Sequence, residues 1–215
     1  MAHQKRIQYT TTNTYHTLNT INKDTENIWF VMHGLGYLSK YFIKHFEALD
    51  ATKNFIVAPQ APSKYYQDKA YKYVGACWLT REDRDLEMEN INNYLNILYD
   101  MEIAPHLSAN RNLYLLGFSQ GVSIITRWVA QKKVDFKTLF LHSGKFPDNL
   151  SKEDFDFMNP ESSVELIYGT EDKLISEKLI SVEQNRLSDI FFDKIHTSTF
   201  NGGHEFNKLI FKNLN

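Results

Sequence analysis

The stretch NLYLLGFSQGVSIITRWVA, residues 112–130, decides the fold. Its first part is a mostly apolar run, which is typical of a strand buried on both faces of a sheet. Its second part repeats apolar residues at helical spacing. Two glycines enclose a serine in the segment GFSQG, residues 117–121, where the first pattern gives way to the second. The stretch therefore predicts a strand, a sharp turn and a helix.

Similar strands and helices alternate along the rest of the chain. This alternation predicts an α/β fold with a mostly parallel central sheet, right-handed crossovers and helices on both faces. Polar and β-branched residues at 6–18 predict an N-terminal antiparallel hairpin that bends around Asn13. No linker or repeat interrupts the pattern, so residues 1–215 are predicted to be one domain. Strands are expected at 27–34, 54–60, 112–118, 136–144, 164–170 and 190–200, and helices from Ser39, after Asp83, at 122–130, near 175–187 and from about Glu205.

Composition excludes several classes of function. The formal net charge is −2, so no basic excess attracts nucleic acid or an anionic membrane. Cys77 is the only cysteine, which rules out an internal disulfide and favours a reducing compartment. The first residues lack the apolar centre of a signal peptide, and no apolar run approaches the roughly 20 residues that span a bilayer. We expect a cytoplasmic protein without a membrane span.

Ser119 has the surroundings of a nucleophile. A serine at a sharp strand-to-helix turn sits in a strained backbone conformation, and residues two positions away must lack side chains to fit. Such a turn lifts the hydroxyl clear of the sheet and points the first N–H groups of the helix towards it. The alternative is a glycine-flanked serine in an ordinary tight turn.

A serine hydroxyl needs a base and an acid to become nucleophilic, and both have candidates further along the chain. Asp172 follows a predicted strand, and His204 follows the last predicted strand and two glycines. The order serine, acid, histidine suits this fold, and working residues of a parallel sheet collect beyond the carboxyl ends of its strands. Glu171 is the alternative acid.

Two backbone N–H groups are candidates for stabilising an oxyanion. The segment MHGLGYL, residues 32–38, follows the first buried strand and exposes the N–H of Leu35. The second donor is the N–H of Gln120, directly after the serine. For His33 we favour a buried role that braces this turn over a role in proton transfer.

An aromatic segment, residues 62–83, carries four tyrosines and one tryptophan between a strand end and a long helix. It begins at the edge of the sheet that bears Ser119, so we expect it to cover the site, with Trp78 as one wall of a substrate pocket. The alternative is a surface loop whose tyrosines cover the core. His142 also ends a strand and is a second candidate for lining the pocket, with a structural role as its alternative.

Taken together, the segments HGLG, APQAP, GFSQG, GTEDKLI and GGHEF resemble, in sequence and order, those of the α/β-hydrolase superfamily. They are most similar to the carboxylesterase, phospholipase and acyl-protein thioesterase family, over roughly residues 28–206. The resemblance implies hydrolysis of a small-molecule carboxylic ester or thioester without metal or cofactor. The family commonly has a further glycine where Val122 stands, and its next segment differs from YLSKYF here. The roles implied are nucleophile for Ser119, acid for Asp172, base for His204 and oxyanion donors for Leu35 and Gln120.

The motifs do not define the leaving group of the substrate. A peptidase or a lactone hydrolase could use the same three side chains, and a catalytically silent binding protein could keep the fold. Exposed aromatic residues would also permit a homodimer. The sequence does not decide whether the segment around residues 65–78 acts as a lid.

Overall fold

Nine strands carry the architecture, and the computed structural model describes residues 1–174 and 177–211. The strands are β1 (Tyr15–Leu18), β2 (Asn27–Met32), β3 (Asn54–Pro59), β4 (Ser63–Tyr66), β5 (Val74–Cys77), β6 (Asn112–Phe118), β7 (Thr138–His142), β8 (Ser163–Gly169) and β9 (Ile195–Phe200). Seven of them form one sheet in the order β1-β3-β2-β6-β7-β8-β9, while β4 and β5 form a separate antiparallel ribbon. Every neighbouring pair in the large sheet is parallel except β1 with β3. The predicted mostly parallel sheet is confirmed.

Helices alternate with these strands, as the sequence predicts. They are α1 (Ser39–Phe42), α2 (Arg84–Glu102), α3 (Gln120–Lys132) and α4 (Glu177–Phe191). The helix predicted from about Glu205 is not found in the described residues, which form a 3-10 turn at Lys208–Phe211 in this segment. Residues 175–176 of the predicted helix near 175–187 lie outside the described residues, as do residues 212–215.

The antiparallel strand expected near the N-terminus is present, and β3 is its partner. Tyr15 lies opposite Pro59 and Leu18 opposite Ile56. Residues 1–14 form no regular secondary structure, so the preceding residues do not supply the second strand that the sequence suggested. By pairing here, β1 covers the backbone groups at the edge of β3.

The two faces of the sheet bury two separate apolar layers. All six residues of β2 are buried, with Trp29 and Val31 on one side and Phe30 on the other, as alternation along a strand requires. Helices α2, α3 and α4 pack on the Phe30 side. The Trp29 side is covered by α1 and by the turn at Lys208–Phe211. Helices therefore lie on both faces, and among the described residues none is long and apolar enough to cross a membrane.

Candidate active site

Ser119 stands at a strained turn between β6 and α3. Its φ is 53° and its ψ is −118°. This conformation is energetically unfavourable for any residue that has a side chain. The Ser119 N–H donates to the carbonyl of His142 at 2.9 Å, which holds the turn against β7. A Cβ on Gly117 would lie 2.4 Å from the nitrogen of Val122, and one on Gly121 would lie 2.2 Å from the carbonyl oxygen of Met32. Only glycine therefore fits on either side of the serine.

The close approach at Gly121 predicts a loss of stability on substitution. We expect Gly121→Ala to lower the free energy of unfolding by about 1–3 kcal/mol, because the new methyl group would overlap the backbone of β2. Gly203→Ala is the matched control, since the nearest atom to its added Cβ is 3.9 Å away. Urea unfolding measures both variants. Equal losses of stability in the two would contradict the close-packed turn.

A hydrogen-bonded relay joins Ser119, His204 and Asp172. The Ser119 hydroxyl donates to His204 Nε2 at 2.9 Å, and His204 Nδ1–H donates to Asp172 Oδ2 at 2.7 Å. The side chain of Asp172 is fully buried, whereas that of His204 is 24% exposed. The acid is therefore shielded from water while the base and the hydroxyl remain within reach of a substrate. This arrangement can activate an alcohol for attack on a carbonyl carbon.

Of the two candidate acids, the structure brings Asp172 to the histidine. Its second oxygen, Oδ1, accepts the N–H of Leu174 at 2.9 Å, so both carboxylate oxygens have partners. Glu171 is exposed, and its N–H donates to the carbonyl of Gly202. The carboxylate of Asp172 is thus fixed by the backbone on one side and faces the imidazole on the other.

The loop after β2 lies directly against the nucleophile. A Cβ on Gly34 would lie 3.0 Å from Ser119 Cβ, and Gly36 has a φ of 84°, which favours glycine. The N–H of Gly36 donates to the carbonyl of Ala76 at 2.8 Å. In the part of the chain that the structure describes, the N–H of Leu35 has no acceptor. The first N–H groups of a helix also lack intrahelical acceptors, which applies to Gln120 at the start of α3.

His33 braces this loop from below. It is fully buried, its Nδ1–H donates to the carbonyl of Gly34 at 2.8 Å, and its Nε2 accepts the N–H of Ala61 at 3.1 Å. Burial lowers the pKa of His33 to about 4, so the ring is neutral near pH 7 and can accept at Nε2. These contacts agree with the bracing role favoured from the sequence.

Trp78 and His142 do not line an open pocket. Both side chains are 0% exposed. The indole N–H of Trp78 donates to the carbonyl of His33 at 2.8 Å, and its ring lies 5.1 Å from the imidazole of that residue. His142 lies beneath the relay among the rings of Phe118 and Phe206. The structure does not support the expectation that either residue contacts substrate, because neighbouring residues already enclose both.

The aromatic segment forms the β4–β5 ribbon and is attached to the loop that holds Leu35. Besides the bond from Gly36 to Ala76, Gln67 Nε2 donates to the carbonyl of Gly36 at 2.6 Å. Its tyrosines point largely into solvent: the exposed fractions are 39% for Tyr65, 56% for Tyr66, 72% for Tyr71 and 58% for Tyr73. They therefore do not serve mainly to cover the core.

Two glutamine side chains near the site were missed in the sequence. Gln60 Oε1 accepts the N–H of Ser39 at 3.0 Å, which ties the start of α1 to the end of β3. Gln120 Oε1 accepts the N–H of Trp78 at 2.9 Å, and its Nε2 donates to the carbonyl of Leu79 at 2.8 Å. The available signal was position, because both residues directly follow the carboxyl end of a strand or the nucleophile.

Two cavities occur away from this site. One of about 710 Å³ lies at the amino ends of β2 and β6, opposite the strand ends that carry the relay. The other, of about 260 Å³, lies beside Phe191. The first includes Arg111, whose guanidinium already donates to the carbonyls of Thr25, His106 and Asn22. Neither cavity contains a residue of the relay.

Comparison with known proteins identifies the class as the α/β-hydrolases. The family described as phospholipase/carboxylesterase matches residues 13–214, and the chain belongs to that family. It is a family of hydrolases that act on esters. No curated protein matches the chain by sequence.

Solved structures show the same fold at low sequence identity. Acyl-protein thioesterase 2 of Zea mays has a TM-score of 0.67 and 17% identity, with 92% of this chain and 94% of that one covered. A phospholipase/carboxylesterase of Dyadobacter fermentans has a TM-score of 0.63 and 14% identity, with coverage of 94% and 93%. The carboxylesterase of Bacillus cereus has a TM-score of 0.62 and 14% identity, with coverage of 91% and 88%. At these identities the likeness concerns the fold.

Proposed function

We propose that the protein is a serine hydrolase that cleaves carboxylic esters or thioesters through an acyl-enzyme. The relay from Ser119 through His204 to Asp172 carries this proposal, because both of its hydrogen bonds have the lengths that proton transfer requires. Three residues from distant parts of the chain meet at the carboxyl ends of the strands. Family membership independently favours ester hydrolysis.

Acylation begins when Ser119 Oγ attacks the carbonyl carbon of the substrate. His204 Nε2 takes the hydroxyl proton as the new C–O bond forms, and the carbonyl oxygen gains the negative charge. We assign the N–H groups of Leu35 and Gln120 as the donors that stabilise this charge. Each such donor contributes roughly 3 kcal/mol when it is aimed at the developing charge. Collapse of the intermediate breaks the bond to the leaving alcohol or thiol, which receives the proton from His204.

Deacylation repeats these steps with water as the nucleophile. His204 Nε2 takes a proton from the water as its oxygen attacks the acyl carbon, and then returns a proton to Ser119 Oγ as the acid leaves. Throughout both steps the carboxylate of Asp172 holds the imidazole orientation and stabilises its positive charge. Burial of that carboxylate strengthens the interaction, because little solvent screens it.

The substrate contact surface is the exposed side of the β4–β5 ribbon. The bonds to Gly36 attach the ribbon to the loop of Leu35, and a Cβ on Gly36 would lie 3.6 Å from Tyr65 Oη, so Tyr65 lies close to the proposed oxyanion site. Apolar and aromatic groups of an acyl chain or an alcohol fit such a surface. The thioesterase from Zea mays, which shares the fold, supports including thioesters among the candidate substrates.

A fluorophosphonate probe tests the proposal together with a series of p-nitrophenyl esters and acyl-thioesters of graded chain length. We expect the folded protein to hydrolyse members of the series and to carry the probe on the peptide that contains Ser119. A heat-unfolded sample is the control, since labelling requires the assembled relay. Absence of both labelling and hydrolysis in the folded protein would favour a silent binding protein instead. The chain length with the highest kcat/KM then measures the acyl site.

A further inference from the structure

His142 contacts the segments that carry Ser119 and His204, although it is not itself part of the relay. It is the last residue of β7, the strand that pairs with β6 and β8 at the centre of the sheet. Its carbonyl accepts the N–H of Ser119 at 2.9 Å, so its backbone holds the nucleophile turn. Its side chain, which is fully buried, points to the segment that carries His204.

The imidazole of His142 contacts that segment by a hydrogen bond and by stacking. Its Nε2 accepts the N–H of Asn207 at 3.0 Å, three residues after His204. Its ring is stacked on Phe206, with centroids 5.0 Å apart and planes inclined by 16°. The same ring meets the edge of Phe118, which precedes the nucleophile, at 5.3 Å. One side chain therefore contacts the neighbours of both Ser119 and His204.

We propose that His142 is a positioning residue, which holds the His204 segment at the distance from Ser119 that proton transfer requires. The inference rests on the proposed function. Residues 201–207 contain no helix or strand, so the backbone of this segment has no ladder of its own to fix it. Anchoring Asn207 and Phe206 to the end of β7 fixes the segment on the carboxyl side of the base.

A histidine suits this position because it combines a flat ring with a hydrogen-bond acceptor. The Nδ1–H of His142 donates to Ser143 Oγ at 3.1 Å, which leaves the Nε2 lone pair for Asn207. Burial lowers the pKa of His142 to about 4, so the ring is neutral near pH 7. A phenylalanine would keep the stacking and lose the acceptor. A leucine would lose both.

The test compares three substitutions that separate the ring from the acceptor. His142→Phe keeps the ring, and we expect it to lower kcat on a short soluble ester by about 10- to 100-fold with little change in KM, because small misplacements of a base are costly. His142→Gln places an amide oxygen near the depth of Nε2, and we expect kcat within about 3-fold of the unmodified protein. His142→Asn is one methylene shorter and cannot reach Asn207, so its kcat should fall at least 10-fold below that of the glutamine variant.

Phe136→Leu provides the control for general destabilisation, since Phe136 is buried before the start of β7 and far from the relay along that strand. It should lower the melting temperature and leave kcat unchanged. Unaltered kcat in His142→Phe, equal kcat in the glutamine and asparagine variants, or an equal loss of kcat in Phe136→Leu would each overturn the proposal. If His142→Phe does not fold, the ratio of the glutamine and asparagine variants decides.

A spectroscopic measurement separates this inference from the proposed function. The proton between His204 Nδ1 and Asp172 should give a far-downfield NMR resonance in the unmodified protein, whatever ester it cleaves. We expect this resonance to persist in His142→Gln and to broaden or shift in His142→Phe. An unchanged resonance in His142→Phe overturns the positioning role even if the protein hydrolyses esters. Inactivity of the unmodified protein on every ester would instead count against the proposed function alone.

Discussion

Replacing Ser119 with alanine is expected to lower kcat on a p-nitrophenyl ester by about 10⁶-fold. The hydroxyl is the atom that bonds to the carbonyl carbon, and no other nucleophile replaces it once the side chain ends at Cβ. The free energy of unfolding should change little, because alanine keeps the Cβ that is already accommodated at the strained φ of 53° and adds no atom that could clash. Steady-state hydrolysis and urea unfolding measure the two quantities.

Ser123→Ala is the matched control for this experiment, since Ser123 lies one turn further along the same helix and contacts Arg127 rather than the relay. It should retain activity and fluorophosphonate labelling, whereas Ser119→Ala should lose both. Hydrolysis by the Ser119 variant at more than about a thousandth of the original rate would assign the chemistry to another group. Equal losses in both variants would point to damage to α3 rather than to a missing nucleophile.

The three residues of the relay could be predicted because each follows the carboxyl end of a strand. Ser119 follows β6, and Asp172 and His204 follow β8 and β9. In a parallel sheet these ends lie along one edge, so the order of elements alone brings the residues near one another. The glycines around Ser119 added a steric requirement, and the structure agrees with it, because a Cβ on Gly117 or Gly121 would lie 2.4 or 2.2 Å from a backbone atom.

The sequence could not decide whether Trp78 and His142 line a pocket or pack in the core, because position along the chain does not say which way a side chain points at the end of a strand. His142 is the last residue of β7, so it lies at the same end of the sheet as the relay residues. Its ring nevertheless lies beneath the site, where Phe118 and Phe206 enclose it. Trp78 follows the exposed ribbon, yet packs on His33. Packing among distant residues decided both cases.

The sequence pattern also did not predict which strand pairs with β1 near the N-terminus. Alternating polar and β-branched residues indicate a strand, but they do not name its partner, and β1 pairs with β3 rather than with the residues before it. The predicted C-terminal helix failed for a different reason. Short helices are marginal without extensive packing, and the described residues of this segment form a 3-10 turn at Lys208–Phe211 instead.

Replacing Asp172 with asparagine should lower kcat by about 10⁴-fold while the fold is preserved. The reason lies in the bond from the N–H of Leu174 to Asp172 Oδ1. In the variant this N–H requires an acceptor, so the amide oxygen turns towards it and the amide NH₂ faces His204. The imidazole must then accept at Nδ1 and carry its proton on Nε2, where it can no longer receive the proton of Ser119. The pH-independent plateau of kcat/KM measures this loss, since it compares fully competent protonation states.

Glu171→Gln is the matched control, because it makes the same change in charge on the neighbouring exposed residue. We expect less than about a 3-fold effect from it, as surface carboxylates contribute little to a site that they do not contact. A large loss in Glu171→Gln with near-normal activity in Asp172→Asn would assign the acid to residue 171, and the buried carboxylate would then be structural. If both variants stayed active, His204 would have to be oriented by its surroundings alone, with the packing around Phe206 and His142 taking the place of the acid.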